Sequence, residues 1–245
     1  ISHEGLTYGG LIVGRKTVTD TVINAFSTLE KYLITARFQV VIYKAVPRIY
    51  HDIPSEEDLY VLTQICKARL IGRDLSSVVE LRSRIRFTEL RRRGTRKAQA
   101  AGISIAESDD IDTFWQILDN NLTRKYGVHP VHSASELRLL KHRFPSQIRL
   151  FMAREGQETV AGTVVYVCRD TIHAQYIAAS ARGKQTGALD LLFARLLDDD
   201  FLEARYFDFG RSTETLGQML NRGLIFQKEG FGARGVCYDT YEWYL

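Results

Sequence analysis

The sequence predicts an α/β protein in which mixed sheets are covered by helices. Three observations lead there. Apolar runs with strand character alternate with amphipathic helical stretches along most of the 245 residues. The order strand, helix, strand, helix, strand occurs twice. The apolar strand ending Tyr206-Phe207-Asp208-Phe209-Gly210 runs straight into polar Arg211, Ser212 and Glu214, the kind of strand end where open α/β sheets hold ligands.

The elements follow in order. Residues 5–14 (GLTYGGLIVG) read as a Gly-rich strand, with His3, Glu4 and Tyr8 on it or beside it. Thr17 and Asp20 form a capping box for a helix over 17–36, in which Val18, Val22, Phe26, Leu29 and Leu33 keep helical spacing. A buried strand over 38–46 stops at Pro47. Ser55 to Asp58 opens a helix to about Cys66, and 68–80 returns as a strand.

Residues 82–97 hold eight Arg or Lys against one Glu, so the net charge of +4 is the property of one segment. Read as a connecting helix, it puts Arg82, Arg86, Arg93 and Lys97 on one face. That face is either solvated or a site for a phosphorylated acceptor, with Arg93 the candidate contact. Helices over 108–126 and 133–143 come next. A hairpin (148–154 and 159–168, turning at Gly156), a strand over 171–179, a helix over 186–202, a strand over 205–209, a helix over 213–224 and a strand over 234–244 complete the chain.

Composition excludes several classes. With 45% hydrophobic and 25% charged residues the chain is globular, and no apolar run reaches membrane-spanning length. Cys66, Cys168 and Cys237 are far apart, which argues against a disulfide scaffold and fits the cytoplasm. His129, His132 and His142 lack a third ligand at suitable spacing, so no metal is expected, and His132 is read as lining an acceptor loop.

The segments HAQYIAASARGKQTGALDLLF, YFDFGRSTETLGQMLNRGLIFQKEGFGA and RRRGTRKAQAAGISI, in this order of elements, resemble the GNAT acyltransferase fold. The tandem arrangement is similar to FemAB-like double-GNAT proteins. TYGGLIVGRKTVTDTVINAF corresponds to the first of these segments, so the resemblance implies a tandem GNAT-like fold. It would divide into residues 1–81 (the C-terminal half of a first copy, N-terminally incomplete), 82–101 (the basic connecting helix) and 102–245 (a complete second copy).

The resemblance implies acyl transfer from a thioester, acetyl-CoA or another acyl-CoA, to an amine, with an amino sugar of a glycan precursor as acceptor. Arg182, Gly183, Lys184, Gln185, Thr186, Gly187 and Ala188 match the turn that holds the donor's pyrophosphate, although only Gly187-Ala188 keeps the usual spacing. Asp208, Glu214 and His173 are the candidate catalytic groups, and Tyr176 and Ser212 candidate substrate contacts. Strand alternation turns His173 and Gln175 one way and Tyr176 the other. Equally, Ser212 or Thr213 caps the next helix and Glu214 favours its first turn. Two rivals stay open: an aminoacyl-tRNA-dependent transferase of the FemAB type, the one reading that involves nucleic acid, and a non-catalytic binding module.

Overall fold

A computed structural model describes residues 8–245, so the readings placed on His3 and Glu4 lie outside the described residues. In chain order the elements are α1 (Thr19–Thr35), β1 (Val40–Lys44), α2 (Glu57–Tyr60), β2 (Arg69–Glu80), α3 (Glu89–Ala100), β3 (Ile103–Ser108), α4 (Ile111–Tyr126) and α5 (Ala134–Arg143). Then come β4 (Ile148–Glu155), β5 (Glu158–Cys168), β6 (Thr171–Ala179), α6 (Ala181–Thr186), α7 (Ala188–Arg195), β7 (Tyr206–Arg211), β8 (Thr213–Glu214), β9 (Met219–Leu220), α8 (Arg222–Glu229) and β10 (Arg234–Tyr244). No helix among the described residues is long and apolar enough to cross a membrane.

The chain packs as two units that interleave in sequence. Unit 1 runs to Ser76 and takes Arg211–Ile225 and Gly235–Leu245, whereas unit 2 takes Ser77–Gly210 and Phe226–Arg234. This departs from the linear division at residues 81 and 101, because β10 pairs along its length with β1.

In unit 1 the strand order is β1-β10-β2. Val22 and Phe26 of α1 pack with Val61, Leu62, Tyr43 and Trp243 into one core. The helix begins after Val18 with no side-chain cap. The Thr17 hydroxyl instead accepts from the Gly14 amide at 3.2 Å, outside the helix. Of the Gly-rich strand only Gly9 pairs among the described residues, antiparallel to Lys44.

Unit 2 has the order β2-β7-β6-β5-β4-β3, antiparallel from β3 to β6 and parallel between β6 and β7. Alternation along β4 sends Phe151 and Ala153 to a core shared with α3 and α7, and Leu150 and Met152 to one shared with α4 and α5. Helices therefore cover both faces. Ser133 and Glu136 make a full capping box at α5, and Gly127 ends α4 in the left-handed region at φ 66°.

Four local readings change. The basic segment is helical only from Glu89, and Arg82 lies in a 3-10 turn, so Arg82 and Arg86 do not share a helix face with Arg93 and Lys97. Ile103–Ser108 is a strand rather than a loop before α4. Residues 182–186 are helical rather than a turn. Residues 213–220 form a tight hairpin, and α8 starts only at Arg222. Thr215, Leu216 and Gly217 all have positive φ (52°, 53° and 87°), a left-handed run no α-helix contains.

Candidate functional site

In unit 2, β6 and β7 run parallel but share only three ladder pairs, ending at His173 opposite Asp208. Beyond that point β6 continues to Ala179 and β7 to Arg211 without further ladder pairing. Parallel strands that part in this way leave backbone groups on facing edges, where an extended ligand can add hydrogen bonds as a strand would.

Polar side chains collect where the strands part. Asp208 is fully buried. Its Oδ2 lies 2.8 Å from His173 Nδ1 and its Oδ1 accepts from the Gly210 amide at 2.9 Å. A buried carboxylate held this way fixes the imidazole ring and puts the proton on Nδ1, the arrangement that orients a histidine base. Gly210 has φ 76°, and a Cβ there would come within 3.4 Å of His173 Cε1. Glycine thus suits both the backbone and the close approach of the ring.

Lys228, from α8, reaches the same place. Its Nζ donates to the Gly210 carbonyl at 2.8 Å and is buried. Burial pushes the ammonium from 10.5 down to about 8, with the Asp208 charge acting the other way. The sequence reading missed this residue. The signal available was a lysine enclosed by aromatic and glycine residues in Phe226-Gln227-Lys228-Glu229-Gly230-Phe231.

This lysine sets a pH dependence of stability. Between pH 8 and 10.5 the unfolded chain binds the proton that the folded chain has released, so stability rises with pH across that window. Below pH 8 both states are protonated, and the full cost of the buried ammonium is present. Lys228→Met should flatten the rise between pH 8 and 10, measured as urea midpoints against wild type. An unchanged slope would show that Lys228 is not the group responsible.

A register shift between Val164 and Val165 leaves Gln175 as an extra residue in β6, a β-bulge. It corrects the predicted alternation. Ile172 and Ala174 join the core of α3 and α7, whereas Tyr176 and Ala178 join that of α4 and α5. His173 and Tyr176 therefore share a face. The Tyr176 hydroxyl lies 2.6 Å from His132 Nδ1, and its ring stands edge-on to Trp115.

The structure thus forms two pairs from the sequence candidates, His173 with Asp208 and His132 with Tyr176. Arg93 is exposed on α3, which packs on the opposite face of the unit 2 sheet. Glu214 and Ser212 belong to unit 1. Glu214 is exposed, with Asn221 Nδ2 at 3.4 Å, and Ser212 is buried, its amide on the Leu75 carbonyl at 2.9 Å. Neither caps a helix, since Asn221 caps α8 through the Leu224 amide. Among the described residues no three His, Cys, Asp or Glu side chains gather as a metal would require. His129 pairs with Asp119.

Residues 182–188 do not fit a pyrophosphate cradle. The Gly183 amide donates to Ser180 Oγ and the Lys184 amide to the Ser180 carbonyl. Arg182 is bound at both ends by Glu155, and Lys184 donates to Asn121. The glycines serve packing: a Cβ on Gly183 would stand 2.1 Å from the Val160 carbonyl oxygen, and one on Gly187 2.6 Å from that of Gly94. Gln185 is exposed, Thr186 bonds back to the Arg182 carbonyl, and Ala188 is buried at the start of α7.

Comparison with known proteins agrees with this architecture. The profile of the family described as "Acetyltransferase (GNAT) domain" matches residues 86–216. Among solved structures, FemX is similar over 99% of this chain and 82% of its own, with a TM-score of 0.73 and 11% identity. L-PGS from Bacillus licheniformis is similar over 94% of this chain and 74% of its own (TM-score 0.61, 16% identity). The C-terminal domain of a putative lysylphosphatidylglycerol synthetase from Agrobacterium fabrum is similar over 90% and 72% (TM-score 0.60, 12% identity). No curated protein matches the chain.

Proposed function

The chain belongs to the acetyltransferase (GNAT) domain family, and on that premise we propose that it transfers an activated acyl group to an amine. The observation that carries the reading is the His173–Asp208 pair at the point where β6 and β7 part. An amine attacks an acyl carbonyl only as the free base. The imidazole held by Asp208 takes the proton that the attacking ammonium must lose. The new C–N bond forms as the bond to the leaving thiolate or hydroxyl breaks, and the proton passes to that leaving group. The carboxylate keeps the ring oriented and offsets the charge it acquires. No covalent enzyme intermediate is needed.

Two donors are in play. Members of this family typically draw the acyl group from acyl-CoA. Against this stands the helical 182–186 segment, whose amides and arginine already have partners. An aminoacyl ester carried on RNA fits at least as well, and the likeness to FemX and L-PGS supports it. We favour the aminoacyl ester, with an amine of a glycan or cell-envelope precursor as acceptor. We assign the reaction to the cytoplasm, where the exposed Cys168 and Cys237 thiols stay reduced.

Titrating the full chain with acetyl-CoA and, separately, with an alanyl-RNA minihelix distinguishes the donors. The expected result is saturable binding of the minihelix and amide formation on glucosamine, read by mass spectrometry. Binding and turnover of acetyl-CoA alone would select the other donor. Consumption of neither would overturn acyl transfer.

A further inference from the structure

Unit 1 contains a cavity of about 440 Å³ that the chemistry above does not use. That volume is within the range of small-ligand sites. Its walls are residues 11–17 and the stretch from Val46 to Asp58. Three carboxylates line it, Asp52, Glu57 and Asp58, against one cation, Arg15. The cavity therefore carries a net negative charge and suits a cationic ligand.

Its base is ordered by a chain of hydrogen bonds. The Tyr43 phenol donates to Asp58 Oδ2 at 2.6 Å and accepts from the Leu11 amide at 2.9 Å. A Cβ on Gly10 would lie 2.4 Å from the phenol oxygen, so glycine is what lets the chain close over it. Burial raises the Asp58 carboxyl above the usual carboxylate range, with the Tyr43 hydrogen bond acting against that rise. A cation beside it would relieve the desolvation.

His51 indicates what such a cation should carry. Its Nε2 lies 3.0 Å from the Val46 carbonyl oxygen, which can only accept, so Nε2 holds the proton. In the neutral ring Nδ1 is then an acceptor. This nitrogen is buried and has no hydrogen-bond partner among the described residues. Buried acceptors are nearly always met by a donor, and His51 lines the cavity.

We propose that the unit 1 cavity binds a small polar amine the size of an amino sugar. A ligand N–H or O–H donates to His51 Nδ1, and the ligand ammonium pairs with Asp58 and Glu57. The site belongs to unit 1 alone and does not depend on acyl transfer by unit 2.

The test uses the full chain labelled with ¹⁵N-histidine and titrated with glucosamine, read as the His51 Nδ1 resonance. A saturable shift is expected, with glucose (the same ring without the amine) binding about tenfold more weakly, as loss of a charge-assisted hydrogen bond implies. Asp58→Asn should weaken glucosamine by a similar factor. Because Asp58 also holds Tyr43, His51→Gln provides a second variant if the first fails to fold, and it should weaken both sugars. A His51 signal insensitive to glucosamine means that water alone meets this nitrogen and overturns the proposal. So do equal affinities for the two sugars, or variants that bind as wild type does. None of these readouts involves turnover, so the site and the acyl-transfer reading fail separately.

Discussion

Asp208→Asn should lower acyl transfer by about 10²- to 10⁴-fold, the scale of losing an oriented general base. The asparagine Oδ1 can still accept from the Gly210 amide, which Asp208 now holds at 2.9 Å. Its Nδ2, however, is a donor placed opposite His173 Nδ1. The imidazole must then accept at Nδ1 and carry its proton on Nε2, which is the wrong state for taking one from an amine. The substitution also removes the negative charge that keeps the Lys228 ammonium from falling further. A modest loss of stability, on the order of 1–3 kcal/mol, should accompany the loss of rate. Turnover of the donor and thermal melts followed by circular dichroism separate the two effects. Wild-type turnover in a folded Asp208→Asn variant would remove Asp208 from the chemistry.

Gly183→Ala should be the more damaging change to the fold. The added methyl would sit 2.1 Å from the Val160 carbonyl oxygen and 2.9 Å from its carbon, both backbone atoms with little room to yield. Either α6 lifts off β5 or the ladder bends. The cost is expected at about 3–5 kcal/mol, near the upper end for a single overpacked site. Arg182→Ala loses only an exposed ion pair with Glu155 and should cost at most about 1 kcal/mol. Urea midpoints of the two variants test the packing role assigned to this glycine. If Gly183→Ala is stable but loses affinity for acetyl-CoA, the anion-cradle reading of residues 182–188 returns.

Where the determinants are local, the sequence was a sufficient guide. The hairpin of β4 and β5, the capping box at Ser133 and the strand β6 all rest on contacts between neighbours in the chain. The apolar strand ending at Asp208 was likewise legible, and with it the region of the candidate site. What escaped was whatever depends on distant partners. Nothing near Gln175 signals that it is an extra residue, because the bulge exists only in its register against Val164 and Val165. The hairpin after Arg211 was read as a helix because Ser212 and Glu214 suit a helix start. The backbone is instead fixed by β2, where the Arg73 amide donates to the Leu216 carbonyl and a Cβ on Gly217 would meet the Arg73 oxygen at 1.8 Å. Lys228 looked like a surface lysine on a short helix, and only the tertiary fold buries it.

The place of β10 also governs how the molecule can be made. It lies between β1 and β2 in unit 1, so two strands that leave the ribosome early find their shared neighbour only when residues 234–244 emerge. Until then both present open edges, while unit 2 has nearly all of its chain. Unit 2 should therefore acquire protease resistance first in a stalled nascent chain, and unit 1 only on release. The same pairing makes a short deletion at the C-terminal end a lesion of the N-terminal half.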